Sequence, residues 1–487
     1  MRNRFVAVGT MLALLVLSGC AGPAGISSAG QLASGDRRQV SEPVAPIRTC
    51  ATVSAQRTLT GGAGDDADEA APPDTARIQQ ALDDCARTDD SVVAVRLAAS
   101  DTLTDFLSGP LTVRQGEVLL LDSTVTLYGS RNPADYQIAG RETCGTVGRS
   151  GGGCAPLLTL SGAHTGLTSA PDAAGRQGRI DGRGGQTMWG AQQSWWDLAQ
   201  AAKGHGMQNV PRLVQASKAD DVTLHDIDLV DAAGIHVSFQ DADGLTVWGV
   251  RIQTPATARN TDGIDPAGAT DVTIADSWIM DGDDGIAIKA GSEPSAHISI
   301  LGNHFFGTHG ISIGSETTAG VSDVLVADDT VSGTDALGNA SAASTGIRIK
   351  SSPKVGGIVR QVTYRRICLD AVKAPLDIDP FYGGSNGPNV PRFQDIVVSD
   401  LRATNSPRGA TSVLKGADAA HPLRVRLENI DVDARPVQAS DADITAAGVV
   451  FGGAELSSES SDVHVSDADA PTPAEATPCV FPSYPAL

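Results

Sequence analysis

The chain is poor in aromatic side chains and in positive charge, and each shortage excludes something. Phe, Trp and Tyr make up 4% of its 487 residues, so any core has to be filled by aliphatic and β-branched side chains. The 36 Lys and Arg are outnumbered by 57 Asp and Glu, for a formal charge of −21. A nucleic-acid partner is not expected, because the phosphate backbone demands a basic footprint. There is no Cys-x-x-Cys and no Cys/His cluster, so neither a metal nor another cofactor is expected from ligand spacing. Helical spacing is scarce as well. It is read at Asp74–Leu82, with Asp74 as N-cap and Ile78, Ala81 and Leu82 on one face, a short helix suited to plugging the end of a solenoid.

Both ends differ from the middle. Arg2 and Arg4 precede an apolar stretch from Phe5 to Leu17 that is too short for a membrane span. It closes on Leu17-Ser18-Gly19-Cys20, which resembles a bacterial lipobox. Residues 1–19 are therefore expected to be a lipoprotein signal peptide and Cys20 the lipidated first residue of the mature chain. Membrane contact is then through the lipid only, in an exported protein held at the cell envelope or surface or released from it. Residues 20–48, rich in Ala, Gly, Ser and Pro, read as a flexible tether. Residues 451–487 read as a tail that hugs the surface or is partly disordered. Six more cysteines, Cys50, Cys85, Cys144, Cys154, Cys368 and Cys479, form an even set behind an export signal, which argues for disulfides. Fifteen pairings exist for six cysteines; the local pairs 50–85 and 144–154 would leave Cys368 to clamp Cys479.

What the chain has in abundance is glycine (54 residues) and a repeat. Apolar triplets begin at Val222, Leu245, Val272, Ile298 and Val324, in steps of 23, 27, 26 and 26 residues. Further triplets start at Val362, Ile396 and Val425. Most are followed by a second apolar position, as at Leu229, Ile252, Ile279, Phe305, Val331, Leu369 and Val432. A period of this length with several short strands indicates an all-β, right-handed parallel β-helix over residues 49–450. A β-propeller needs antiparallel blades of about 40 residues.

Superimposed on that repeat is a glycine followed by alternating isoleucines. It occurs in Asn260-Thr261-Asp262-Gly263-Ile264, Gly282-Asp283-Asp284-Gly285-Ile286-Ala287-Ile288, His309-Gly310-Ile311-Ser312-Ile313 and Gly346-Ile347-Arg348-Ile349-Lys350. Aligned on the glycine, Asp262, Asp284 and His309 take one position in three successive turns. Strands about 4.8 Å apart would bring them together on one face, with Asp283 beside them and Arg348 and Lys350 emerging nearby. Clustered carboxyls cannot all ionise easily, so one should keep a proton and serve as an acid while another activates water. Two cations beside acids in an acidic protein point to an anionic sugar.

These motifs, with Phe106–Leu111 and Ile180–Gly184, resemble the polygalacturonases of glycoside hydrolase family twenty-eight, particularly the bacterial secreted ones. The resemblance runs from about Asp74 into the 430s. It implies inverting, endo-acting hydrolysis of α-1,4 bonds in polygalacturonate and de-esterified pectin by a monomer. It also implies Asp283 as general acid, Asp262 and Asp284 as the base pair, and His309 tuning the acid. Arg348, Lys350, Tyr382 and Asn260 would contact the sugar. Thr308 stands where the family usually has glycine before the histidine, which restricts the backbone there. The alternatives are an exo-acting enzyme, a pectate lyase on the same fold, and a non-catalytic carbohydrate-binding β-helix.

Overall fold

Every apolar triplet of the repeat becomes one rung of a parallel ladder in the computed structural model, which describes residues 32–46, 48–87, 91–457, 461–467 and 479–487. In the first ladder Val222 lies over Leu245, then Val272, Ile298, Val324, Val362, Ile396 and Val425, residue for residue. The second apolar positions stack likewise, Leu229 on Ile252, Ile279, Phe305, Val331 and Leu369. The third ladder carries the glycine-led strands, Ile264 on Ile286, Ile311, Ile347 and Leu376. The result is a right-handed parallel β-helix. Side chains alternate in and out along a strand, and the inward Ile264, Ile286, Ile288, Ile311, Ile313, Ile347 and Ile349 are all buried in one continuous core.

The corners between ladders account for part of the acid excess. Asp221, Asp226, Asp241, Asp271, Asp276, Asp323, Asp328, Asp395 and Asp400 all adopt positive φ. Asp tolerates the left-handed region better than most residues, because its short side chain can bond locally. Much of the negative charge is thus turn chemistry rather than a binding surface.

The N-terminal end is closed by the helix Thr75–Cys85, which buries Ile78, Leu82 and Cys85 against the core. Asp74 stands at the N-cap position but makes no capping bond with its side chain. Its carboxylate instead accepts from the Leu107 amide (2.7 Å) and pairs with Arg77 (2.6 Å), tying the helix to the first turn of the solenoid. Arg183, in the Ile180–Gly184 stretch, is buried against Glu69 at 2.5 Å. Disulfides join Cys50 to Cys85, Cys144 to Cys154 and Cys368 to Cys479.

Two segments depart from expectation. From Leu32 to Arg38 the chain is no tether: it is strapped across the outer face of the first ladder. The Ala33 amide donates to Thr363 Oγ1 (2.9 Å), the Ser34 and Gly35 amides to Asp323 (2.6 and 3.1 Å), and the Asp36 amide to Ser299 Oγ (2.9 Å). Thr273 donates to Asp36 (2.7 Å), and Arg37 pairs with Asp271. Thr273, Ser299 and Thr363 are middle residues of their triplets, a row of outward hydroxyls that a strap can bond. Strand pairing also continues past 450: Ala442–Phe451 is covered by Val463–Asp467 in parallel register. Beyond it, Tyr484 returns to the middle of the solenoid, donating to the Ile252 carbonyl (2.8 Å) and meeting Phe306 edge-on. Residues 1–19, expected to be a signal peptide, and Cys20 lie outside the described residues.

Candidate active site

The glycine-led turns converge because their backbones interlock. The Gly263 amide donates to the Asp284 carbonyl (3.0 Å), the Gly285 amide to the Gly310 carbonyl (3.0 Å), and the His309 amide to the Asp283 carbonyl (2.6 Å). Glycine is required where these turns touch. At Gly310 (φ 82°) a Cβ would lie 2.1 Å from the Thr345 carbonyl oxygen, and at Gly282 it would lie 1.9 Å from that of Ala258. Thr308 is buried and uses its hydroxyl to accept the Gly310 amide (2.9 Å). The threonine therefore pins the turn before His309.

Asp283 is the partly exposed member of the acid cluster. Its Oδ1 faces His309 Nδ1 at 3.1 Å and accepts the Asp284 amide at 3.0 Å, while Oδ2 accepts from Asn260 Nδ2 at 3.0 Å. Asn260, with positive φ, is held in turn by Gln208 Nε2 (2.9 Å). Asn260 thus sits on an acid, where it orients the carboxyl. Asp284 is buried with one partner on each oxygen: Lys350 Nζ lies 2.6 Å from Oδ2, Ser312 donates to Oδ1 (2.8 Å), and Arg348 stands 3.7 Å away. Asp262 is buried too, with Lys289 Nζ at 3.7 Å; that ammonium is bonded more closely to Asp265, at 2.6 Å.

Electrostatics separate Asp262 from Asp283. Burial pushes Asp262 well above the ordinary carboxyl range, Asp265 and Asp283 add to it, and Lys289 opposes. Burial would raise Asp283 too, but the hydrogen bond and charge of His309, followed by Lys350, hold it below its ordinary value. Of these two, Asp262 therefore keeps its proton more readily. Below them Asp281 is pushed well up by burial, while its Oδ1 takes the Asp283 amide (2.9 Å). His236 sits behind Asp262, Nδ1 against the Asp262 carbonyl (3.1 Å), and burial lowers it to about 4.

The cations form the other half of the groove. Arg348 Nε is 3.0 Å from Asp377, and the Arg348 guanidinium and Lys350 ammonium each lie 5.0 Å from the Tyr382 ring centre. Lys350 is only 5% exposed, whereas Tyr382 is 38% exposed. Lys350 is thus committed first to Asp284, and the open surface is Tyr382 with the flank of Arg348. Oxygens of Asp283 and Asp284 and a nitrogen of His309 approach within 4.8 Å, but the Lys350 ammonium and the Ser312 hydroxyl already occupy the Asp284 oxygens. Asp265, Ser312 and Asp377 were not anticipated. Ser312 and Asp377 share the outward column of Arg348, so strand register alone would have found them. Gln208 reaches the site from Met207–Gln208, which pairs with Val147–Gly148, and no repeat position marks it.

Residues 117–449 match the model of glycosyl hydrolases family 28. The chain is 40% identical over 419 residues to an endo-polygalacturonase of Pectobacterium parmentieri, covering 85% of this chain and 94% of that one. It is 35% identical to a polygalacturonase of Ralstonia solanacearum, covering 86% and 85%. A solved polygalacturonase from Erwinia carotovora ssp. carotovora superposes with a TM-score of 0.71 at 36% identity, covering 85% of this chain and 99% of the other.

Proposed function

This chain belongs to family 28 of the glycosyl hydrolases, and on that premise we propose that it hydrolyses α-1,4 bonds between galacturonate units of polygalacturonate and de-esterified pectin, cutting within the polymer. The observation that carries this reading is the likeness to endo-polygalacturonases over 85% of the chain, joined to a site in which Asp262, Asp283 and Asp284 meet Lys289, Arg348 and Lys350. In it Asp283, hydrogen-bonded to His309, protonates the glycosidic oxygen. Asp284 and Asp262 activate the attacking water. Asn260, Gln208 and His309 position the acid, Lys350 holds Asp284, and Arg348 and Tyr382 receive the sugar carboxylate and ring. A second reading makes Asp262 the acid, favoured by its strongly raised proton affinity.

The test is a time course on polygalacturonate. Viscosity should collapse while few reducing ends have formed, and proton NMR of fresh product should show the β-anomer, as single displacement by water requires. Slow viscosity loss with monomer as the first product would replace endo by exo action. Products absorbing near 235 nm, as conjugated uronates do, would mean elimination instead.

The three disulfides support export, since such bonds persist in oxidising compartments. The Leu17-Ser18-Gly19-Cys20 run supports a lipid on Cys20, and the enzyme acts as a monomer. Fatty-acid labelling of producing cells, followed by sedimentation of the detergent-extracted protein, checks both. No label refutes the anchor, and a dimer mass refutes the monomer.

A further inference from the structure

Past Arg38 the strap turns the corner between the first and second ladders and sets Glu42 beside His225 and Asp226. His225 Nε2 lies 3.3 Å from Asp226 Oδ2 and 3.8 Å from Glu42 Oε1, and the three donor atoms all fall within 4.8 Å of one another. His225 is more than nine-tenths buried, and its Nε2 has no hydrogen-bond partner. The other ring nitrogen is turned away from the cluster. Nδ1 faces Thr168 Oγ1 at 3.5 Å, and that hydroxyl spends its single hydrogen on the Ser169 carbonyl (3.3 Å). Nε2 is the ring nitrogen that faces the two carboxylates.

Asp226 is held as firmly. Its backbone is left-handed (φ 47°), its amide donates to the Trp248 carbonyl (3.0 Å), and its Oδ1 accepts from Gln177 Nε2 (3.4 Å), leaving Oδ2 for the cluster. Donors bound at about 2.0–2.1 Å in a tetrahedron stand about 3.3 Å apart, which the His225–Asp226 pair meets and the Glu42 arm reaches with a small side-chain movement. One imidazole with two carboxylates suits a zinc-class ion, whereas calcium and magnesium prefer all-oxygen sets of six or more.

We propose that Glu42, His225 and Asp226 bind a divalent transition-metal ion of the zinc class, which clamps the N-terminal strap onto the corner of the β-helix. Water would complete the coordination on the exposed side of Glu42. The site stands at the corner that follows the first ladder, whereas the acids precede strands of the third, so it serves the strap and not the hydrolysis.

The probe is zinc chloride, with the full mature chain carrying His309→Gln so that the Asp283–Asp284–His309 group cannot contribute a nitrogen ligand. Equilibrium dialysis followed by elemental analysis should find one zinc per chain. Adding Glu42→Gln or His225→Gln should weaken binding about 10–100-fold or more, since even changes behind a ligand cost that much. Zinc should also slow tryptic cleavage at Arg37 and Arg38, and Glu42→Gln should abolish that protection. Glu42 is exposed, so this variant folds whether or not His225→Gln does. Zinc content or cleavage rates that Glu42→Gln leaves unchanged would overturn the proposal, as would no zinc bound at micromolar concentration. His225 would then be an imidazole whose partners are the two carboxylates alone.

Discussion

Asp283→Asn should lower turnover on polygalacturonate by about 10²–10⁴-fold, the usual contribution of general acid catalysis, and by more if the acid acts as a unit with His309. The amide keeps the size of the carboxyl, and its one oxygen can still accept the Asp284 amide although the bond from Asn260 is lost, so affinity for oligogalacturonate should stay near wild type. Asp262→Asn should be as damaging, and the leaving group tells the two apart. An aryl oligogalacturonide whose departing phenolate needs no proton bypasses the acid. Asp283→Asn should recover most of its activity on that substrate, while Asp262→Asn should not. The opposite pattern would move the acid to Asp262, in line with its raised proton affinity. Near wild-type turnover by Asp283→Asn on the polymer would remove Asp283 from the chemistry.

Lys350→Met should cost kcat at least as heavily as KM. An exposed lysine that merely touched the sugar carboxylate would chiefly raise KM, but here the ammonium is buried on Asp284 at 2.6 Å. Removing one partner of a buried ion pair typically costs about 3–5 kcal/mol. The Ser312 hydroxyl and Arg348 at 3.7 Å compensate only in part. A kcat loss of about 10²-fold or more is expected, since about 1.4 kcal/mol is tenfold, together with a lower denaturant midpoint. Steady-state kinetics and a urea titration check both. A tenfold rise in KM with unchanged kcat and stability would return Lys350 to a purely substrate-binding role.

The sequence by itself determined the β-helix, because side-chain alternation and a near-constant step leave one way to bury every isoleucine, and the ladders follow that register residue for residue. It also determined which acids meet, since Asp262, Asp284 and His309 precede glycines that allow successive turns to touch. Pairing within the groove was beyond its reach. His309 bonds Asp283 rather than its register-mate Asp284, Lys289 serves Asp265 more closely than Asp262, and Lys350 is spent on Asp284. Those choices depend on side-chain reach and burial across turns, which a one-dimensional repeat does not encode. Composition predicted a flexible segment where Leu32–Arg38 is bonded across the first ladder, because the outward hydroxyls that hold it become a row only once the turns are stacked. The same stacking brings Glu42 to His225 and Asp226 across more than 180 residues of chain, a spacing no ligand motif would register. Periodicity specifies what lies inside the solenoid and over what; only the closed coil decides which polar groups on its outside become neighbours.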